Sequence, residues 1–97
     1  MATVFNEAVS ANTPALDNDI VVQHSGLYRV MVSEDTGVVF SMELTRNGTT
    51  RVLHFNEGVA LVADCLYVFN VSVRPGDSIN FQFGGATTVH VLNVERA

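Results

Sequence analysis

The chain has no lysine and no tryptophan, and only one cysteine and two prolines, among 97 residues. Each shortage excludes something. The only cations are Arg29, Arg46, Arg51, Arg74 and Arg96, which are scattered along the sequence. Nucleic-acid binding relies on clustered cations that displace counterions from phosphates, and anionic lipid is read by polybasic segments. Neither nucleic acid nor a membrane surface is therefore the expected partner. Cys65 alone cannot close an intrachain disulfide. Within Cys65-Leu66-Tyr67-Val68-Phe69 it reads as a small buried apolar residue. No apolar run approaches the ~18–20 residues of a membrane span. The opening Met1-Ala2-Thr3-Val4-Phe5-Asn6-Glu7 lacks the basic and apolar regions of a secretory signal, so the chain is expected to be made and folded in a cytoplasm.

What is present is apolar and acidic. Hydrophobic residues make up 47% of the chain and charged residues 15%, with a net charge of −5. The length suits one domain over residues 1–97. So much apolar surface in a small chain implies either a dense core or an interface between copies. Homo-oligomer interfaces are richer in apolar area than ordinary surface, and the second reading is preferred.

Strand signals dominate: Val, Thr, Phe and Ile recur between turn residues spaced eight to twelve positions apart. Thr3 to Val9 reads as a first strand and Ala11 to Asp19 as a long loop, so residues 1–19 are expected to form an extended N-terminal arm. Ile20 to Val22 and Leu27 to Val32 follow as strands. Val38 to Thr45 alternates, with Val38, Phe40, Met42 and Leu44 on one face, as expected where one face of a sheet is buried. Asn47-Gly48 is a strong hairpin signal, because both residues tolerate positive φ, and Thr50 to Phe55 is its returning strand. Val59 to Ala63 reads as a short strand. Cys65 to Val73 is nearly continuous in apolar residues and reads as a strand buried on both sides. Arg74-Pro75-Gly76-Asp77 has the composition of a type II turn. Ser78 to Phe83 alternates, with Ile79, Phe81 and Phe83 inward. Thr87 to Glu95 changes phase between Val91 and Leu92, which implies a bulge or two buried faces. The expected fold is all-β: a small antiparallel β-sandwich or jelly-roll-like barrel of about eight strands.

No motif for chemistry stands out. His24, His54 and His90 lie far apart, whereas zinc sites in small proteins show at least one close ligand pair. Convergence of the three strands on a metal, as in a cupin-like barrel, is the minor alternative. Asp17-Asn18-Asp19 lacks the glycine and distal glutamate of a calcium loop and reads as a solvated loop. Nucleophile elbows, phosphate loops and dinucleotide fingerprints are missing. Asn47-Gly48-Thr49 and Asn70-Val71-Ser72 match the glycosylation pattern by chance. No catalytic residue and no cofactor is expected.

One pattern carries a resemblance. Leu66-Tyr67-Val68-Phe69-Asn70-Val71-Ser72-Val73, the turn Arg74-Pro75-Gly76-Asp77, and the strand Ser78-Ile79-Asn80-Phe81-Gln82-Phe83 together resemble hairpins in small virion proteins of tailed phages, including fibre heads and capsid decoration proteins. The stretch is also similar to a late hairpin of the trimeric jelly rolls related to tumour necrosis factor and complement globular heads. The resemblance implies a non-enzymatic structural virion protein, assembled in the host cytoplasm. Its implied form is a homotrimeric decoration protein whose partners are its own copies and a major capsid or other virion protein. The arm would grip the shell or a neighbouring subunit by strand addition, through Thr3, Val4, Phe5, Val9 and Leu16. The alternative from a different class is a small carbohydrate- or protein-binding β-sandwich module. Missing tryptophan, the best ring for stacking on sugars, weighs against the carbohydrate form.

Overall fold

Alternating β-branched, aromatic and polar residues build eight strands in the computed structural model, which describes residues 2–97. These are β1 (Ala2–Val9), β2 (Ile20–Val21), β3 (Gly26–Glu34), β4 (Phe40–Arg46), β5 (Thr49–His54), β6 (Tyr67–Val73), β7 (Ser78–Phe83) and β8 (Thr87–Arg96). Each strand of the first half pairs antiparallel with its counterpart from the other end: β1 with β8, β2 with β7, β3 with β6, β4 with β5. The ribbon is rolled so that β3 also lies against β8 and β4 against β7. Two four-stranded sheets result, ordered β1-β8-β3-β6 and β2-β7-β4-β5. This is a jelly roll, an antiparallel double sheet of eight strands, as the all-β reading expected.

The sheets meet over a core supplied from both sides. Tyr28, Val30, Val32, Val89, Leu92 and Val94 come from one sheet; Phe40, Met42, Ile79, Phe81 and Phe83 come from the other. Phe40 is the hub. Its ring centroid lies 5.0 Å from that of Phe83, 5.7 Å from Phe81, 4.9 Å from Phe55 and 6.3 Å from Phe69 of the opposite sheet. Such spacings are those of attractive aromatic pairs.

Local chemistry fixes the register. Asn47 (φ 52°) and Gly48 (φ 77°) both adopt positive φ, as a type I′ hairpin requires, and the ladder then runs from Arg46 opposite Thr49 to Ser41 opposite His54. Gly76 has φ 89°, and the Asp77 N–H donates to the Arg74 carbonyl at 3.1 Å, completing the type II turn. In β8 the buried positions are Thr87 and Val89, then Leu92 and Val94. The β3 ladder slips between Ser33 and Glu34, which face Val91 and Val89 and leave His90 as the extra residue. The phase change in the sequence is therefore a β-bulge.

Four sequence expectations need correction. Val59 to Ala63 is no strand: a single 3-10 turn, Asn56–Gly58, leads into an irregular segment. That segment drops Leu61 into the core at 3% exposure and donates the Leu61 N–H to the Val38 carbonyl. The β6 run is not buried on both sides. As an edge strand it turns Tyr67, Phe69, Val71 and Val73 inward and Val68, Asn70 and Ser72 to solvent. Cys65 precedes that strand and is exposed. Asn80, expected on a wet face, is 2% exposed because the β1–β2 connection lies across it.

One ion pair ties two turns together. Asp77, at the end of the Pro-Gly turn, accepts from Arg46 Nε at 2.9 Å and Nη2 at 2.8 Å, and from the Arg74 N–H at 2.9 Å. The Arg46 guanidinium, followed by that backbone donor, lowers the Asp77 carboxyl to about 2. Because its folded value is depressed, its stabilisation is complete above the unfolded value of about 4 and is lost as pH falls toward about 2. Asp77→Asn should cost about 1–3 kcal/mol at neutral pH. Urea melts across acid and neutral pH should show the gap between wild type and variant closing inside that window. A gap that is unchanged at low pH would refute the assignment.

Candidate assembly surface

The open sides of the sandwich are closed in two different ways. On one side stand the free edges β5 and β6, joined by residues 55–66. Phe55, just past β5, stacks on Phe69 of β6 at 4.7 Å, and Phe69 stacks on Tyr67 at 5.9 Å. The Tyr67 hydroxyl accepts the Val62 N–H at 3.0 Å, and the Asp64 N–H donates to the Glu34 carbonyl. This pinned segment closes the end of the core with Leu61 and faces solvent with Val59, Val62 and Leu66. Gly37 makes room for it: at φ +87°, a Cβ there would lie 3.0 Å from the Leu61 carbonyl oxygen.

On this side the apolar surface is left uncovered. Of nine exposed large hydrophobic residues, six fall between positions 52 and 68: Val52 (44%), Leu53 (46%), Val59 (60%), Val62 (60%), Leu66 (61%) and Val68 (52%). The surface continues onto the outer face of the β1-β8-β3-β6 sheet. There Val68 pairs across to Met31, Met31 to Asn93, and Asn93 to Thr3. The neighbouring row carries Phe5, 74% exposed, opposite Val91. All six residues of β5 are exposed. Free strand edges and contiguous apolar patches both mark sites of association.

The other side is closed by a polar clamp. The segment after β1 runs beside β7, with Asn12 and Ala15 N–H groups donating to the Phe83 and Phe81 carbonyls. The Asn80 carboxamide accepts the Leu16 N–H at 3.1 Å and donates to the Leu16 carbonyl at 3.1 Å and to Asp19 at 2.7 Å. Leu16 is thereby buried at 6%. An open trough of about 520 Å³ lies between this segment and β1, rimmed by Glu7, Asp17 and Asp19.

The five residues assigned to a gripping arm are therefore split. Val4 (6% exposed) and Leu16 belong to the core of their own domain. Val9 is half-buried and packed against that core. Thr3 and Phe5 point outward. Residues 2–9 are not extended away from the body, because they form seven register pairs with β8. Strand addition occurs, but within the chain.

Two pairs of chemically competent side chains were not anticipated. Ser41 Oγ lies 2.6 Å from His54 Nδ1. The Asn-Gly turn sets this contact, since its ladder puts position 41 opposite 54. Ser41 is only 3% exposed, so the imidazole caps the hydroxyl and the pair works as a cross-strand hydrogen bond. His90 Nε2 lies 2.7 Å from Asp64 Oδ1, joining the bulge in β8 to the β5–β6 connection. His54 and His90 stand on different sheets and His24 on the β2–β3 connection. Among the described residues no three His, Cys, Asp or Glu side chains come together in a metal-binding group. Glu34, 1% exposed, accepts from the N–H groups of Thr36, Gly37 and Val38 and from Thr87 Oγ1, which holds the β3–β4 turn. Asp35 is held below the usual carboxylate range, first by the Thr88 N–H and then by the Thr36 hydroxyl.

No family model matches the chain, and no curated protein matches it. Among solved structures it is similar to a pentameric capsid protein isolated from metagenomic phage sequences, at 17% identity and a TM-score of 0.36. The alignment covers 98% of this chain and 58% of that one.

The clamp makes a direct prediction. Asn80→Ala leaves the buried Leu16 N–H without its acceptor and should cost about 1–3 kcal/mol. Hydrogen exchange should accelerate at Leu16 and its neighbours more than in β3 or β8. Uniform acceleration across the whole domain would mean that Asn80 serves the core and not the clamp.

Proposed function

We infer that this chain is a structural virion protein that works as a homo-oligomer and coats the surface of a viral shell. The trimeric decoration protein is its most specific form. The observation that carries the reading is the apolar surface at residues 52–68, set between two free sheet edges and continued to Met31, Val91 and Phe5. Leu53, Val59, Val62, Leu66 and Val68, about half exposed along the β5–β6 side of a small domain, are costly to leave in water, at roughly 25 cal/mol per Å². Packing copies side by side would cover them. A stable interface uses roughly 20–30 residues from each partner. Residues 51–69, with the adjoining outer face of the sheet, supply a surface of that scale. A rigid, clamped jelly roll is a suitable element for a repeating shell. The outward Thr3 and Phe5 remain available as contacts to the shell or to a neighbouring copy.

The test is direct. At micromolar concentration the wild-type protein should scatter light as a trimer of its 10.5 kDa chain. Leu66→Asp with Val68→Asp should give a monomer with unchanged circular dichroism, because both side chains already face solvent. Antibody-gold labelling should place the protein on the outer surface of intact particles. A wild-type monomer that labels no particle would end the proposal.

A further inference from the structure

The arginines, scattered along the sequence, are gathered by the fold. Successive strands run up and down, so successive turns fall at opposite ends of the sandwich. The β2–β3, β4–β5 and β6–β7 connections share one end: Gly26 faces Val73, Val21 and Thr45 both face Ser78, and the Gly76 N–H donates to the Val22 carbonyl. Arg46 and Arg74 lie in or beside those turns. Arg96 pairs with Tyr28 at the same end, and Arg29 and Arg51 lie within three residues of it. The carboxylates Asp19, Asp77 and Glu95 stand among them, with Asp17 and Glu43 within three residues of the same end. Arg46 pairs with Asp77 and Arg29 with Glu95, while Arg51, Arg74 and Arg96 are exposed and form no ion pair among the described residues.

The opposite end has the reverse character. It holds the β3–β4, β5–β6 and β7–β8 connections, brought together by the bonds from Leu61 to Val38, from Gly84 to Val39 and from Asp64 to Glu34. Glu7, Asp35, Glu57 and Asp64 are exposed there; Asp64 is joined to His90, and His54 stands nearby, but no arginine accompanies them. The molecule measures 33 Å along its longest axis and 25 Å across. Screening in physiological salt acts over about 8 Å, so an approaching partner meets the exposed, unpaired Arg51, Arg74 and Arg96 at one end separately from the carboxylates of the other.

We propose that the two ends form a second contact between copies, in which the arginine end of one copy docks on the carboxylate end of the next. The occupant is identified by complementarity: three unpaired guanidinium groups at one end match a set of exposed carboxylates at the other end of the same chain. Such a contact is heterologous, so it propagates into a stack or closes a ring of stacked copies. It goes beyond the lateral apolar interface and does not depend on it. The two differ in salt response, since apolar burial persists where surface ion pairing is screened.

The experiment uses two charge-reversed proteins. One carries Arg51→Glu, Arg74→Glu and Arg96→Glu; the other carries Glu7→Lys and Glu57→Lys. All five positions are exposed, and circular dichroism with thermal melts checks that both proteins fold. Light scattering is read from about 0.01 M to about 1 M salt, over which the screening length falls from about 30 Å to about 3 Å. Wild-type protein should at least double its mean mass at the low-salt limit and lose that gain at the high limit. Each reversed protein alone should show no gain: the first carries carboxylates at both ends, and in the second the two lysines offset Asp35 and Asp64, leaving that end no net sign for the arginines to match. An equimolar mixture should recover it. Wild-type mass that is independent of salt overturns the proposal, whatever else the arginines bind. So does a mixture of folded variants no larger than its components. Leu66→Asp with Val68→Asp should retain the salt-dependent gain, which separates failure of the end contact from failure of the lateral one.

Discussion

The stack of rings around Phe40 is the contact on which the rest of the molecule depends. Phe40 is wholly buried and touches Phe81 and Phe83 of its own sheet, Phe69 of the other, and Phe55 beyond the end of β5. It therefore joins the two sheets and also anchors the edge that would otherwise be most loosely attached. All six residues of β5 are exposed. That strand is held by its ladder to β4 and by the Phe55 ring at its end. The same stack fixes the ends of the β5–β6 connection, which is why Val59, Val62 and Leu66 present a defined apolar surface.

Comparison of the two open sides shows what the apolar side could have been. On the β1–β2 side the chain covers itself. Leu16 fills the gap, and Asn80 satisfies the backbone that comes with it, both accepting from and donating to Leu16. The carboxamide has donors and acceptors enough for this and for Asp19 as well. Among the described residues no such covering segment lies over Val62, Leu66 and Val68, which are 52–61% exposed. The asymmetry separates a side completed by the chain itself from a side whose apolar residues stay exposed.

Much of the fold could be read from local pattern, because alternation, Asn-Gly and Pro-Gly act over a few residues. Strands β3, β4 and β7, both turns and the bulge in β8 follow from such signals. What escaped the reading was long-range. The apolar alternation of β1 is the same whether its partner is β8 of its own chain or a strand of a neighbour, so Val4 and Leu16 looked like arm residues and are core residues. The apolar run of β6 matches a doubly buried strand, yet β6 is an edge whose Val68 faces out. An edge strand with that composition is evidence about a surface, and only the strand order distinguishes the cases. Val59 to Ala63 has strand-like composition but packs through one residue, Leu61, as a lid. The Ser41–His54 contact was within reach of sequence reasoning, since a two-residue turn at 47–48 dictates the pairing 13 positions apart.

The end-to-end charge pattern has the same origin. Read linearly, acidic and basic groups alternate: Glu34 and Asp35, then Arg46 and Arg51, then Glu57 and Asp64, then Arg74. In a disordered chain that alternation would average to nothing. In an antiparallel roll, consecutive turns lie at opposite ends, so the groups that alternate over the connections from β3 to β7 are sorted, with Arg46, Arg51 and Arg74 toward one end and Asp35, Glu57 and Asp64 toward the other. The scattered arginines that argued against a basic surface are therefore one half of a polarised domain. The interleaved Asp19, Asp77 and Glu95 keep that half moderate, as suits a reversible contact between like subunits more than a site built to hold a polyanion.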